Sequence, residues 1–242
     1  MMGRILLALQ YWGGDKYQAM ELARLIADIE PTHCSAADFL FVHRFDCKPD
    51  ESTMNHVGRK FNVHKYRSPR RETGWPDGCN GLWYSTMEWV YHMIEAKKIP
   101  AYKAVLTFEA DCVPLRRDWI NYLSERWDEL AKGGKVFIAG RKVESVGVHE
   151  HINGNAFFSC DLNFLKWVVK GTRVPPGVGW DYHLAGEFRR RGWAEIPGLE
   201  CRWGTKTLTD EFLREELERG VVFLHGVKDR SALTFSRKHL LT

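Results

Sequence analysis

Residues 104–114 of this 242-residue chain read Ala104-Val105-Leu106-Thr107-Phe108-Glu109-Ala110-Asp111-Cys112-Val113-Pro114. The apolar run is typical of a buried strand, and it ends in two carboxylates at i and i+2, with a proline shortly after. Open α/β sheets form their ligand crevices at the carboxyl ends of the strands. Glu109 and Asp111 can both face such a crevice if the chain bends as it leaves the sheet, and hard oxygen ligands suit Mg²⁺ or Mn²⁺ bound to a diphosphate. The alternative is a strand that ends in a solvated acidic turn.

Strand-like and helix-like segments alternate around this stretch through the first 140 residues. The predicted strands are 5–9, 39–42, 61–66, the strand ending at Glu109, and 136–139; the predicted helices are 17–29, 80–96 and 119–130. This alternation predicts an α/β fold in which a mostly parallel, Rossmann-type central sheet is flanked by helices.

The pattern changes after residue 140. We predict an extended segment at 153–159, a helix at 162–169, a Pro/Gly loop at 174–179, a helix at 182–190 and a short strand at 221–225, followed by a basic tail. The chain shows neither an internal repeat nor a linker. It is therefore expected to form a single domain over residues 1–242, with two functional halves, 1–140 and 141–242.

Composition describes an ordinary globular protein, with 44% hydrophobic and 27% charged residues. The formal net charge of +4 is too small to indicate a polyanionic partner, but the cluster Arg67, Arg70 and Arg71 is either a solvated face or a phosphate-binding group. Six scattered cysteines without a CxxC pair indicate free thiols in a reducing compartment. No apolar stretch approaches the roughly 18 residues of a membrane span, so a cytoplasmic protein without a membrane anchor is expected.

Three further motifs follow predicted strands or turns. At Leu9-Gln10-Tyr11-Trp12-Gly13-Gly14-Asp15, glycines allow close backbone approach, and Tyr11 or Trp12 could stack on a nucleobase. At Asn153-Gly154-Asn155, short amide side chains suit the recognition of sugar hydroxyls, or form a plain hairpin turn. In the segment 221–229, His225 could complete a metal site and Lys228 could meet a phosphate, although a histidine at a strand end is often structural.

Together these features resemble the nucleotide-sugar glycosyltransferases of the GT-A fold over roughly residues 4 to 230. The resemblance implies that Asp111 and His225 are metal ligands and that Glu109 occupies the first acidic position of the family's D-x-D element. The family prefers Asp at that position, so Glu109 could instead contact ribose or sugar. The resemblance also implies a donor-sugar pocket at Gly154 and Asn155, a nucleotide-sugar site in the first half of the chain, and an acceptor site in the second.

The same resemblance implies roles for two further segments. Asp181, just before a late helix, occupies the place of the base that accepts the acceptor proton in inverting members, or it is the N-cap of that helix. The aromatic loop 73–84 would lie near the donor, where Asn80 could reach hydroxyls. Trp75 and the preceding arginines also suit a nucleic-acid backbone with a flipped base, or the loop simply closes onto a helix N-terminus.

The function expected from the sequence is a metal-dependent hexosyltransferase that uses Mn²⁺ or Mg²⁺ and a nucleotide-sugar, with a UDP-sugar such as UDP-glucose favoured. With its arginine clusters and no expected membrane anchor, the chain resembles the phage and kinetoplastid enzymes that glycosylate hydroxymethylated pyrimidines in DNA. A bacterial glycan or lipid-linked saccharide is the alternative acceptor. A nucleotidyltransferase would need a longer Gly-rich basic loop than Gly13-Gly14-Asp15-Lys16. A non-catalytic nucleic-acid-binding module would need the basic clusters without the acidic and histidine motifs.

Overall fold

The computed structural model of the chain describes residues 3–145, 148–202, 207–226 and 228–241. The strands in these ranges are β1 (Ile5–Tyr11), β2 (Ala37–His43), β3 (Val63–Arg67), β4 (Ala104–Glu109), β5 (Cys112–Pro114), β6 (Ile138–Ser145), β7 (Val148–Ser159), β8 (Trp193–Glu195), β9 (Leu199–Cys201) and β10 (Phe223–His225). The helices are α1 (Lys16–Ile29), α2 (Glu51–Gly58), α3 (Asp77–Glu95), α4 (Trp119–Ala131), α5 (Leu162–Gly171), α6 (Trp180–His183), α7 (Ala185–Arg191), α8 (Asp210–Glu218) and α9 (Ser231–Leu240).

The central sheet of the described chain has seven strands in the order β3-β2-β1-β4-β7-β6-β8. Strands β3, β2, β1 and β4 run parallel, β8 is parallel to β6, and β7 is antiparallel to both of its neighbours. Because β2 and β4 lie on opposite sides of β1, the direction of strand addition reverses between β1 and β4. Parallel α/β sheets bind ligands at such a switch point, beyond the carboxyl ends of the strands. Glu109 is the last residue of β4 and lies at this edge.

Helices cover both faces of the central sheet. Every residue of β1 is buried; Ile5, Leu7 and Leu9 pack in one core with α1, α4 and α9, whereas Leu6 and Ala8 pack in the other with α3 and α5. Burial on both faces explains why β1, β2 and β4 are continuous apolar runs rather than alternating patterns. The fold therefore places the predicted central strand in the middle of the protein and its acidic end at the surface crevice.

A second sheet, which the sequence did not predict, has three strands in the order β5-β10-β9. Strand β10 is antiparallel to β5 and parallel to β9, and the register places His225 between Cys112 and Cys201. Because β4 ends at Glu109 and β5 begins at Cys112, the turn that carries Asp111 connects the two sheets.

Four local predictions need correction or extension. The expected basic tail is helix α9, because Leu233, Phe235 and other apolar residues on it pack into the core. The Asn-Gly pair does not form a hairpin turn but lies inside β7, which extends the predicted segment 153–159 toward its N-terminus. The predicted helix 182–190 is two helices, α6 and α7.

Among the described helices, none combines the length and apolar character needed to cross a membrane.

Candidate active site

Three side chains from the two sheets meet at the acidic end of β4. One ligand atom from each of Glu109, Asp111 and His225 lies within 4.8 Å of the others. His225 Nε2 is 3.4 Å from Asp111 Oδ1 and 3.7 Å from Glu109 Oε2. Asp111 and His225 are buried, whereas the Glu109 side chain is 35% exposed. The three residues that the sequence indicated as metal ligands therefore lie together, although His225 is far along the chain from Glu109 and Asp111.

Two atoms of this cluster are buried without hydrogen bonds. Asp111 Oδ1 and His225 Nε2 have no hydrogen-bond partner within the part of the chain that the structure describes. The two atoms face each other as an ion pair at 3.4 Å, and native proteins rarely leave such buried atoms without a hydrogen bond unless they serve a function. Two carboxylates and an imidazole nitrogen that converge in this way form a donor set suited to Mn²⁺ or Mg²⁺.

Mutual charge interactions shift the pKa values of the cluster. Burial opposes ionisation of Asp111, but His225 and Lys228 outweigh burial and hold the pKa of this carboxyl below its ordinary value. Burial likewise opposes protonation of His225, but Asp111 and Cys201 raise its pKa well above the ordinary value. Burial and the neighbouring Asp111 raise the pKa of Glu109. The cluster thus holds a proton that a divalent cation would replace.

A cavity of about 270 Å³ opens beside Glu109. Its lining includes the β1–α1 turn, with Trp12 and Asp15, the loop before α3, with Trp75, and also Lys228. Trp12 is 43% exposed and Trp75 is 77% exposed, so both present aromatic surface at this opening. The structure thus places Trp75, which the sequence associated with the acceptor, in the same cavity as the predicted donor residues Trp12 and Lys228.

Tyr11 is buried, whereas its neighbour Trp12 is exposed. The Tyr11 side chain has no exposed surface, and its ring lies against His43 with the centroids 6.0 Å apart. The Trp12 ring packs over Gly14, where a Cβ would come within 2.1 Å of the ring, and the Arg44 guanidinium lies 4.8 Å from its centroid. Tyr11 is therefore too buried to stack on a nucleobase, and stacking on Trp12 stays a prediction.

Lys228 and Asp15 add opposite charges to the cavity. Burial would lower the pKa of Lys228, but Asp111, Glu109 and Asp15 outweigh it and raise that pKa. Asp15 accepts a hydrogen bond from the Trp12 backbone N–H at 2.8 Å, and burial is the main cause that raises its pKa to about 6. Sequence reasoning missed Asp15 as a cavity residue, although its position after two glycines and before a helix was a usable signal.

The amide residues of β7 and α3 face other protein groups. Asn155 Oδ1 accepts a hydrogen bond from the Glu109 backbone N–H at 2.9 Å. Asn80 Nδ2 donates to the Val178 carbonyl at 2.8 Å, and its Oδ1 accepts from the Trp180 N–H at 2.9 Å. Asn80 therefore fastens the loop before α6 to α3, which differs from the contact with donor hydroxyls that the sequence suggested.

Asp181 lies on α6 beside Gly154. A Cβ at position 154 would lie in ordinary contact with α6, 3.4 Å from the Trp180 ring and 3.8 Å from Asp181 Oδ2, so β7 and α6 pack directly against each other here. The alternative role of Asp181 as an N-cap is wrong, because the cap residue is Gly179. Asp181 Oδ1 accepts a hydrogen bond from the Tyr182 N–H at 2.9 Å. Burial raises the pKa of Asp181, which makes it a better base near neutral pH.

The three arginines predicted to contact the acceptor each interact with another part of the protein. Arg67 donates to the Phe45 carbonyl at 2.7 Å, and the Arg71 guanidinium lies 4.8 Å from the centre of the Phe45 ring. Arg70 forms an ion pair with Glu88 and lies 5.0 Å from the Tyr84 ring. A phosphate ligand would therefore compete with these contacts.

No model of a known protein family matches the sequence, nor does any curated protein. Solved structures do match. The glycosyltransferase GlyE of Streptococcus pneumoniae TIGR4 has a TM-score of 0.54 at 10% identity, covering 95% of this chain and 56% of GlyE. An active-site mutant of LgtC has a TM-score of 0.53 at 12% identity, covering 96% of this chain and 94% of LgtC. The bifunctional glycosyltransferase WbbM has a TM-score of 0.53 at 10% identity, covering 93% of this chain and 46% of WbbM.

The chain therefore spans about half the length of GlyE and of WbbM, and nearly all of LgtC. At such low identity, the likeness establishes the fold. The α/β fold of the GT-A type, with a mostly parallel central sheet flanked by helices, is the one that the sequence predicted, and it is confirmed.

Proposed function

We propose that this protein is a metal-dependent glycosyltransferase that moves a sugar from a nucleotide-sugar to an acceptor hydroxyl. The observation that carries the proposal is the facing pair of buried atoms, Asp111 Oδ1 and His225 Nε2, which make no hydrogen bond among the described residues and lie beside Glu109. This donor set stands at the carboxyl edge of a GT-A sheet. The fold similarity to GlyE, LgtC and WbbM supports the same reaction class.

The donor is proposed to lie in the cavity beside Glu109. Trp12 and Trp75 offer aromatic surface for the base, and the Lys228 ammonium can offset negative charge on the diphosphate. Glu109, Asp111 and His225 would hold Mn²⁺ or Mg²⁺, which supplies positive charge to the departing nucleoside diphosphate. A UDP-sugar such as UDP-glucose is the donor that we favour, and the thermal-shift experiment below tests it against other nucleotides.

Asp181 is proposed as the base that accepts the proton of the acceptor hydroxyl. Its raised pKa makes the carboxylate a stronger base than an exposed aspartate, and the Tyr182 N–H fixes the orientation of Oδ1. Asp181 lies next to Gly154, in the segment of β7 that also contacts Glu109 through Asn155. The donor would then bind in the cavity beside Glu109, and the acceptor hydroxyl would bind next to Asp181.

A thermal-shift panel tests the donor proposal. A ligand that binds only the native state raises the free energy of unfolding by mass action, by about 2.7 kcal/mol when its concentration is one hundred times Kd. The melting temperature rises with it. UDP, GDP and their sugar conjugates are each added with and without MnCl₂. We expect at least one nucleotide to stabilise the protein in the presence of Mn²⁺ and much less in its absence. Equal melting temperatures across the entire panel would contradict the proposal.

A hydroxymethylated pyrimidine in DNA is the acceptor to be tested first. Replacing Arg67, Arg70 and Arg71 by Gln should then weaken DNA binding and flatten its salt dependence, because fewer counterions are released. For these arginines to bind phosphate, their contacts with Phe45 and Glu88 would have to break. Fluorescence anisotropy at two salt concentrations measures this effect. If the wild-type protein does not bind DNA measurably, a glycan or lipid-linked saccharide becomes the acceptor to pursue.

A further inference from the structure

Strands β4 and β7 separate before β4 reaches its acidic end. Backbone pairing between β4 and β7 runs from Ala104 and Ser159 to Leu106 and Phe157. Beyond this point, side chains connect the strands: Thr107 Oγ1 donates to the Gly154 carbonyl at 2.9 Å. Two residues further along β4, the Glu109 N–H donates to a side chain of β7 rather than to its backbone.

That side chain is Asn155, and its amide oxygen receives two hydrogen bonds. The Glu109 N–H donates at 2.9 Å and the Cys112 thiol donates at 3.1 Å. Glu109 ends β4 and Cys112 begins β5, so one buried oxygen atom connects both ends of the turn that carries Asp111. A change in the position of this oxygen would move the two carboxylates relative to His225.

The orientation of the Asn155 amide is itself fixed. Asn155 Nδ2 donates to Asn153 Oδ1 at 3.0 Å, and the Asn155 backbone N–H donates to the same oxygen at 3.1 Å. The amide nitrogen therefore faces Asn153, while the amide oxygen faces the acidic turn. A flexible turn would lose entropy on binding a cation, whereas a turn that is already held loses less.

We propose that Asn155 is a positioning residue for the metal site: its side chain holds the turn from Glu109 to Cys112 so that Glu109 and Asp111 converge on His225. The inference depends on the proposed metal-dependent function and deepens it. It differs from recognition of the donor sugar by Asn155, which would affect donor binding but not the affinity of the protein for Mn²⁺ alone.

The test is the affinity for Mn²⁺ in the absence of nucleotide, measured by electron paramagnetic resonance of free MnCl₂. Asn155→Ala removes the oxygen and should weaken Mn²⁺ binding by about 10-fold or more, as loss of outer-sphere partners does in other metal sites. If Asn155→Ala fails to fold, Asn155→Ser, which is too short to reach the turn, replaces it.

Asn80→Ala is the matched control, because Asn80 is also a buried asparagine that bonds through both ends of its amide, but to the loop before α6. It should leave Mn²⁺ affinity unchanged. Wild-type Mn²⁺ affinity in a folded Asn155→Ala variant would overturn the positioning role. Absence of Mn²⁺ binding by the wild-type protein would instead overturn the proposed metal-dependent function, so the two failures are distinguishable.

Discussion

At the scale of single residues, His225 is held from both sides of its ring. Its Nε2 faces the two carboxylates, and its Nδ1 lies 3.4 Å from the Cys201 sulfur. A histidine that binds a metal through Nε2 carries its proton on Nδ1, and an acceptor at Nδ1 favours that tautomer. Cys201, on the neighbouring strand β9, therefore supports His225 as a ligand.

Replacing this sulfur should weaken metal binding. We expect Cys201→Ala to lower Mn²⁺ affinity by roughly 10-fold, and Cys201→Ser to recover most of it, because serine keeps an acceptor. Titration with MnCl₂ measures the effect. Cys160→Ala is the control: this buried cysteine follows the end of β7 that pairs with the start of β4, opposite the acidic edge. Equal affinities for the two alanine variants would exclude this role for Cys201.

Asp15 should reduce the stability of the protein at neutral pH. Its folded-state pKa of about 6 lies above the ordinary value of 3.8, so the folded state binds more protons between pH 4 and 6 and its stability falls as pH rises through that window. Asp15→Asn should therefore raise stability at pH 7 by on the order of 1 kcal/mol, after allowing for solvent screening. Below pH 4 the gain should vanish. Urea unfolding of the metal-free protein at both pH values would detect it, and a gain that does not depend on pH would contradict the assignment.

At the scale of elements, α6 carries the proposed base and is fixed at both faces. Asn80 of α3 bonds to the loop before α6, and the Trp180 ring stacks on Trp83 of α3 with centroids 4.1 Å apart. Gly154 of β7 lies next to Trp180 and Asp181 of the helix. A four-residue helix has little stability of its own, so these contacts determine where Asp181 lies.

Asp181→Asn should separate catalysis from binding. If Asp181 accepts the acceptor proton, single-turnover sugar transfer should fall by about 10²–10⁴-fold while donor affinity stays near the wild-type value. The melting temperature should not fall, because a buried carboxylate is replaced by a neutral amide of the same size. Glu187→Gln, on the neighbouring helix α7 with a 43% exposed side chain, is the control and should retain turnover. Near-normal transfer by Asp181→Asn would exclude the base role.

The same elements show how far the sequence could predict the structure. Strands β1, β2 and β4 of the central sheet were predictable because both of their faces are buried, which produces long apolar runs, whereas the three-residue β8 of the same sheet was not predicted. The short strands β5, β9 and β10 were not all predictable, since three residues carry no periodicity and their pairing depends on distant parts of the chain. For the same reason, the sequence marked His225 as a candidate ligand but did not reveal its contact with Cys201.

At the scale of the whole molecule, the candidate site lies where the two sheets meet. The carboxyl end of β4 supplies Glu109, the connecting turn supplies Asp111, and β10 of the second sheet supplies His225. The type of each residue suggested its chemistry from the sequence alone. The amides of Asn80 and Asn155 were the main exception, because a side chain's hydrogen-bond partners follow from tertiary packing and not from local pattern.

The central claim is that Glu109, Asp111 and His225 bind a divalent cation that the nucleotide-sugar requires. The most direct measurement is the amount of Mn²⁺ bound by the wild-type protein and by Asp111→Asn, with and without UDP, followed by electron paramagnetic resonance. Asn has nearly the same size as Asp but lacks its charge, so the variant should fold and melt near the wild-type temperature. We expect one Mn²⁺ per wild-type chain, with affinity reduced by at least about 10-fold in Asp111→Asn. Equal Mn²⁺ binding by the two proteins, or none by either, would contradict it.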